Sequence, residues 1–178
     1  MRQVVNYPYI IYKIENTKPL LDLAKELPLV EGQVQNKEGH NIKHSSRKTD
    51  VGFFPKGSLI EEFIDTYIEL ANQYYKFKLS GAEKVQFGVY REGHFYDWHR
   101  DYKKEGYHRK LSVSVMLNDD FEGGDLEIQE LWGNRTCTIP KKAGTIVIFP
   151  SMLRHRVTPV TKGVRYSLVR WYSGPDFK

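Results

Sequence analysis

A single cysteine, Cys137, leaves this chain no intrachain disulfide, which removes the cross-linked framework that commonly holds small secreted domains together. Cys137 lies in the alternating stretch RTCTI, residues 135–139, and reads as a small strand residue, not a nucleophile. Long apolar runs are missing too. The first residues, MRQVVNYPYIIYKIE, contain no uninterrupted apolar segment, so neither a signal peptide nor a membrane span is expected, and a cytoplasmic setting is the default. Internal repeats, low-complexity tracts and Pro/Gly/Ser-rich linkers are absent as well, so residues 1–178 are read as one domain. Charge of one sign is scarce: 27 Lys+Arg against 22 Asp+Glu give a formal +5, which does not by itself make a nucleic-acid-binding protein.

What is present is an ordinary globular balance, 40% hydrophobic and 28% charged, with 12 tyrosines. Tyrosine enrichment suits β-rich structure and pockets that need an apolar wall with a polar tip. Two helices are expected early. Thr17-Lys18-Pro19 opens the first, with a cap candidate and an early proline, and it runs to about Leu27 before Pro28. Ser58-Leu59-Ile60-Glu61 opens the second as a capping box; Ile60, Phe63, Ile64, Tyr67, Ile68 and Ala71 then form one apolar face, and Gly81 is the expected stop. From residue 84 onward short β-rich stretches alternate with glycine turns, the pattern of a sandwich or barrel. Leu111, Val113, Val115 and Leu117 repeat every second residue, as in a half-buried strand. The expectation is a mainly β fold with supporting α-helices: helical support over about 1–83 and a β core over about 84–172.

The chemistry concentrates in residues 90–101, YREGHFYDWHRD. In an extended segment His99 and Asp101 project from one face, offering a neutral imidazole and a carboxylate to a divalent ion. Such a triplet is common by chance. Support comes from His155, which follows an apolar strand and a turn and completes a set of two histidines and one carboxylate, the arrangement favoured for non-haem Fe(II) oxygenases. Zinc is the rival metal at this point. In VRYSLVRW, residues 164–171, period two puts Arg165, Ser167, Val169 and Trp171 on one face. An inward arginine needs an acidic partner: either the far carboxylate of a dicarboxylate co-substrate or an Asp or Glu of this chain. Trp171 either walls the metal site or fills the core.

The chain resembles the Fe(II)/2-oxoglutarate-dependent dioxygenases, and within them the prolyl 4-hydroxylase-like branch. That branch carries Tyr-x-x-Gly-x-x-Tyr-x-x-His-x-Asp, matched here by Tyr90, Gly93, Tyr96, His99 and Asp101. Its later signature appears as Leu117-Asn118, Gly123-Gly124-Asp125-Leu126, Pro140 with Gly144, Phe149-Pro150, His155 and Gly163-x-Arg165, so that the likeness runs through residues 84–172. The resemblance implies a double-stranded β-helix (jelly roll, cupin-like) with iron at one open end. It implies His99, Asp101 and His155 as metal ligands, Arg165 as anchor of the 2-oxoglutarate carboxylate, and Tyr90 and Ser167 as its neighbours. Arginine stands where many prolyl 4-hydroxylases have lysine, which keeps the charge. The implied activity is hydroxylation of a C–H bond by Fe(II), 2-oxoglutarate and O2, with ascorbate as an auxiliary reductant and succinate and CO2 as co-products. A prolyl residue of a peptide or protein is the leading substrate. Nucleic acid or a small molecule on the same chemistry, or a non-catalytic metal-binding β-barrel, are the alternatives.

Substrate contacts are expected from Arg47, drawn from the resemblance, and from Lys103 and Lys104 in the basic segment 102–110, which otherwise is a solvated loop. Tyr96 and Trp98 either line the pocket or pack. His94, an odd offset from His99, points away from the metal; His40, His44 and His108 read as surface histidines.

Overall fold

The computed structural model describes residues 4–6, 8–35, 41–42, 45–102, 108–131 and 135–175. In chain order the first half comprises β1 (Val4–Asn6), β2 (Tyr9–Lys13), α1 (Lys18–Lys25), β3 (Val30–Glu31), β4 (Val34–Gln35) and β5 (Asn41–Ile42). There follow β6 (Arg47–Lys48), β7 (Asp50–Phe53), α2 (Leu59–Tyr75), β8 (Gly81–Ala82), β9 (Gln86–Tyr90) and β10 (Phe95–His99). The second half is β11 (His108–Met116), β12 (Glu122–Gly123), β13 (Leu126–Gln129), β14 (Thr136–Thr138), β15 (Thr145–Pro150), β16 (His155–Val157), β17 (Val160–Lys162) and β18 (Arg165–Gly174). A large antiparallel sheet runs β1-β2-β15-β11-β18-β9-β7-β3, with β8 also on β18, and a five-stranded sheet runs β14-β13-β16-β10-β6. The two face each other as a jelly roll, the expected double-stranded β-helix.

Both helices form where expected, and their ends differ for physical reasons. Pro19 occupies the first turn of α1, but Thr17 spends its hydroxyl on the carbonyl of Leu117 at 2.7 Å instead of capping, and the helix stops at Lys25, two residues early. At α2 the expected capping box is not made. Ser58 makes no side-chain cap bond, while the Glu61 carboxylate accepts from Gly57 N at 2.9 Å and pairs with Arg170 of β18 at 3.3 Å. The carboxylate reaches back to the amide one residue before the expected cap and shares the same oxygen with the buried cation. The helix ends at Tyr75, well before Gly81: Lys76 takes a left-handed φ of 55°, and Asn72 brackets the backbone N and O of Phe77. Gly81 instead sits in β8.

The large sheet is buried on both faces. Ile10, Tyr12, Leu111, Val113, Val115, Ile146, Ile148 and Leu168 share one cluster with Ile60, Ile64, Tyr67, Ile68 and Ala71 of α2. Alternate residues, Tyr9, Ile11, Val147 and Phe149, join Leu126, Ile128 and Val157 of the small sheet in a second cluster. The expectation of a half-buried β11 is therefore corrected. Ser112 and Ser114 are buried too, and they line a cleft between the sheets, not a solvated face.

Candidate active site

His99 and His155 are cross-strand partners on β10 and β16, facing the large sheet. Asp101 lies just past the end of β10, where its amide donates to Ser151 O at 3.0 Å in the turn between β15 and β16. The three side chains bring ligand atoms within 4.8 Å of one another. Asp101 is 3.4 Å from His155 Nε2 and 3.7 Å from His99 Nε2. Each histidine aims Nδ1 at a backbone carbonyl, His99 at Asp97 O (2.7 Å) and His155 at Leu153 O (3.0 Å). A carbonyl only accepts, so the proton belongs on Nδ1 and the Nε2 lone pairs are left to face Asp101, the tautomer a metal requires. Ser112 Oγ donates to Asp101 Oδ2 at 2.7 Å and fixes the carboxylate plane.

The electrostatics follow from burial and crowding. Burial, with His155 beside it, lowers the His99 pKa to about 3, so this imidazole is neutral. Burial acting alone would raise Asp101, but the two histidines and Arg109 hold it well below the usual carboxylate range. Burial opposes the charged form of His155, yet contact with Asp101 wins and raises its pKa. The histidines shift oppositely because His155 is the closer to the carboxylate. Without metal, Asp101 therefore favours the protonated form of His155 and burial disfavours that of His99. Two imidazoles and a carboxylate converging from one side are a donor set suited to Fe(II), and they equally suit zinc.

Arg165 adds a second feature to the same cleft. It stands on β18 opposite Tyr90, only 1% exposed. Its Nη1 donates to Ser167 Oγ at 2.9 Å, its Nε has no hydrogen-bond partner, and no carboxylate lies within ion-pair distance among the described residues. Asp125, the nearest acidic influence, is engaged by Lys141 at 3.3 Å. Burial pulls the guanidinium below its ordinary pKa. The intrachain ion pair that was the alternative is thus missing among the described residues, and a buried cation in this state calls for an anion from outside. Gly124, at φ 60°, makes room: a Cβ there would come within 3.1 Å of Arg165 Cδ. Tyr90 places its ring 5.1 Å from the guanidinium. A cleft of about 490 Å³, solvent at its mouth included, is lined by Arg165, Ser167 and Tyr90 together with His99, Asp101 and His155.

Other residues fall into place around this cleft. Tyr96 lines it and stacks on His99 with centroids 3.5 Å apart, and Arg47, also lining it, lies 4.8 Å over Tyr96. Trp171 lines the cleft and carries Arg109 on its face at 4.0 Å. Arg109 grips Glu83 with two bonds of 2.6 Å and reaches Asp101 at 3.9 Å. Ser112, Ser114, Gln86 and Arg109 were not singled out from sequence. The serines left a signal, polar residues alternating with valines in LSVSV, whereas Arg109 left none. Trp98 lines no part of the cleft and belongs to neither apolar cluster. His94 is half-buried and does not line the cleft. His108, expected at the surface, is buried at 3% exposure and stacks on Tyr102, because β11 begins there inside the large sheet. Lys103, Lys104, His40 and His44 lie outside the described residues.

The family model of the 2OG-Fe(II) oxygenase superfamily matches residues 85–173, half of the 178 residues. A PKHD-type hydroxylase of Synechococcus sp. (strain JA-2-3B'a(2-13)) is 25% identical over 173 residues, spanning 90% of this chain and 74% of that protein. The fold is similar to that of a prolyl hydroxylase from Trichoplax adhaerens in complex with a hypoxia inducible factor oxygen degradation domain peptide fragment. There the TM-score is 0.71 at 18% identity, covering 92% of this chain and 83% of the other. It is similar too to a viral collagen prolyl hydroxylase of Paramecium Bursaria Chlorella virus-1 in its 2OG complex, with TM-score 0.67 and 20% identity over 93% of this chain and 96% of the other. At such identities the structural likeness speaks to fold.

Proposed function

Because the chain belongs to the 2OG-Fe(II) oxygenase superfamily, we propose that it hydroxylates a prolyl residue of a peptide or protein, using 2-oxoglutarate and O2 and releasing succinate and CO2. The observation that carries the reading is Arg165: a buried guanidinium lacking a carboxylate partner among the described residues, in the same cleft as two histidines and an aspartate. A metal barrel without co-substrate has no use for that grip. The prolyl assignment is supported by the similar fold of enzymes named prolyl hydroxylases.

In this reading His99 and His155 hold Fe(II) through Nε2, and Asp101 through a carboxylate oxygen. Bound iron and 2-oxoglutarate supply the oxidising power, chemistry that no side chain provides. The protein's part is positional. Arg165 and Ser167 bind the far carboxylate of 2-oxoglutarate, orienting the molecule along the cleft toward the metal ligands. Ser112 keeps Asp101 in plane, and the Asp97 and Leu153 carbonyls keep both histidines in the ligating tautomer. Tyr96, Phe149, Val157 and Trp171 line the site with apolar surface that limits water. Arg47, which lines the cleft, is the side chain this reading offers to an entering peptide. The decisive assay incubates the protein with Fe(II), 2-oxoglutarate, ascorbate and a library of proline-containing peptides, and follows succinate together with peptide mass. A single added oxygen on proline is expected. Succinate formation coupled instead to oxidation of a nucleobase or a free amino acid removes the prolyl assignment and leaves the oxygenase chemistry in place.

A further inference from the structure

Trp98 is the residue the site does not use. It is half-buried on β10, yet it contributes to neither apolar cluster and lines no part of the cleft. Its neighbours Tyr96 and His99 turn inward, and the register shift between them leaves Asp97 and Trp98 opposite Arg156 on the outer side of the five-stranded sheet. The Trp98 ring lies 4.8 Å from the Arg156 guanidinium and 5.5 Å from that of Arg154. Glu127 neutralises Arg156 at 2.6 Å. Arg154 is exposed and has no carboxylate partner among the described residues. Arg100, exposed just after β10, bonds the Met152 carbonyl at 3.0 Å and likewise has no acidic partner among them. Tryptophan and arginine are the side chains over-represented in the energetic centres of interfaces, and here they stand together on a sheet face outside both cores.

We propose that this face docks an acidic segment of the protein substrate, its carboxylates on Arg154 and Arg100 and its remaining surface against the Trp98 ring. The inference rests on the peptidyl reading above and specifies the part of the substrate that lies outside the cleft. Charge selects the occupant: two arginines lacking acidic partners among the described residues, on a chain of net +5, attract carboxylates. Glu127 and exposed Asp97 interrupt the positive surface, which suits discrete carboxylates better than a continuous run of phosphates. Arg100 directly follows His99, so the patch begins at the rim of the cleft. A sheet is about 10 Å through, roughly three residues of extended chain, so the acidic residues fall about three to six positions from the oxidised one.

Two measurements on the metal-loaded full chain test this. In the first, fluorescein-labelled peptides without proline, one carrying four glutamates and its counterpart four lysines, are titrated by fluorescence anisotropy. The glutamate peptide binds and the lysine peptide does not. Arg154→Glu weakens the former by roughly tenfold and creates binding of the latter, while substrate-independent 2-oxoglutarate turnover is unchanged. In the second, prolyl peptides with and without glutamates three to six positions away are compared, and the flank lowers KM with kcat unchanged. Equal binding of the glutamate peptide by wild type, Arg154→Glu and Trp98→Ala overturns the proposal, as does displacement of that peptide by a lower concentration of single-stranded oligonucleotide. Prolyl turnover without a flank effect removes the docking face and keeps the prolyl reading. Charge-dependent binding without proline oxidation does the reverse.

Discussion

At the residue scale two groups stand out, buried Arg165 with no carboxylate partner among the described residues and His155 with its pKa raised beside Asp101. Arg165→Ala removes the charge-assisted bonds available to a dicarboxylate, each worth about 1.5–3 kcal/mol, so 2-oxoglutarate affinity should fall about tenfold to more than a hundredfold per bond lost. Tyr90→Phe should weaken it less, since the ring stays beneath the guanidinium. Calorimetry decides, and unchanged affinity in Arg165→Ala would sink the assignment of this strand to the co-substrate. The second of these, His155, sets the pH dependence of metal binding. Its pKa is raised by Asp101, and a ligating imidazole must be neutral, so metal binding expels its proton below that pKa. Affinity for Mn(II) or Fe(II) should therefore rise about tenfold per pH unit through and somewhat above the ordinary histidine pKa of ~6.5, then level off. His99, already neutral, contributes no slope in that range. A flat profile from pH 5 to 8 contradicts the Asp101–His155 pairing. Ser112→Ala leaves all three ligands in place but frees Asp101 to rotate. Metal affinity should drop by about 10–100-fold, the range seen when the partners of ligands are removed, with Ser112→Thr recovering part of it.

At the element scale the telling junction is between α2 and β18. Arg170 is 5% exposed on the opposite side of β18 from Arg165, and it meets Glu61 at 3.3 Å and Asp65 at 2.5 Å across the helix. It also donates to the backbone carbonyls of Glu61 and Glu83. One strand thus alternates between a cation satisfied by the helix and a cation lacking an acidic partner among the described residues, left for a ligand. Arg170→Met strands the buried Glu61 carboxylate and should cost about 3–5 kcal/mol in urea unfolding, whereas adding Glu61→Leu should recover most of the loss. If the single variant is as stable as wild type, the junction is ornamental. The same junction shows how the capping box departs from its local spelling: the Glu61 carboxylate takes the Gly57 amide and shares that oxygen with Arg170, distant in sequence.

For the whole molecule, the proposed metal and co-substrate ligands come from elements far apart in sequence, β10 and β16 on one sheet and β18 on the other, so binding in this reading should brace the sandwich. Anything bound only to the folded state stabilises it by about 2.7 kcal/mol at a hundred times its Kd. Mn(II) and 2-oxoglutarate should each raise Tm by several degrees, roughly 2–4 °C per kcal/mol at this size. In Arg165→Ala the 2-oxoglutarate increment should vanish and the Mn(II) increment survive; in His155→Ala the Mn(II) increment should go. Loss of both in either variant points to general loosening and not to two separable sites.

The residues 90–101, the strand rhythm after residue 84 and the apolar face of α2 were readable in advance, because alternation and motif spacing are local properties that survive without coordinates. Period two alone put Arg165, Ser167, Val169 and Trp171 on one face, and all four line the cleft. Local information could not say what lies across a sheet. That β11 is buried twice over, that Ser112 faces Asp101, that Arg109 joins Glu83, Trp171 and Asp101, and that His108 is interior all depend on which strand is stacked on which. The first helix was capped differently for the same reason: Thr17 gave its hydroxyl to the carbonyl of Leu117, far along the chain. Sequence determined which groups would have to be buried in a β-sandwich. Only the tertiary structure decided which of those buried charges would be matched within the chain and which would be left for a ligand, because in a low-dielectric interior that depends on a few ångströms between residues far apart along the chain.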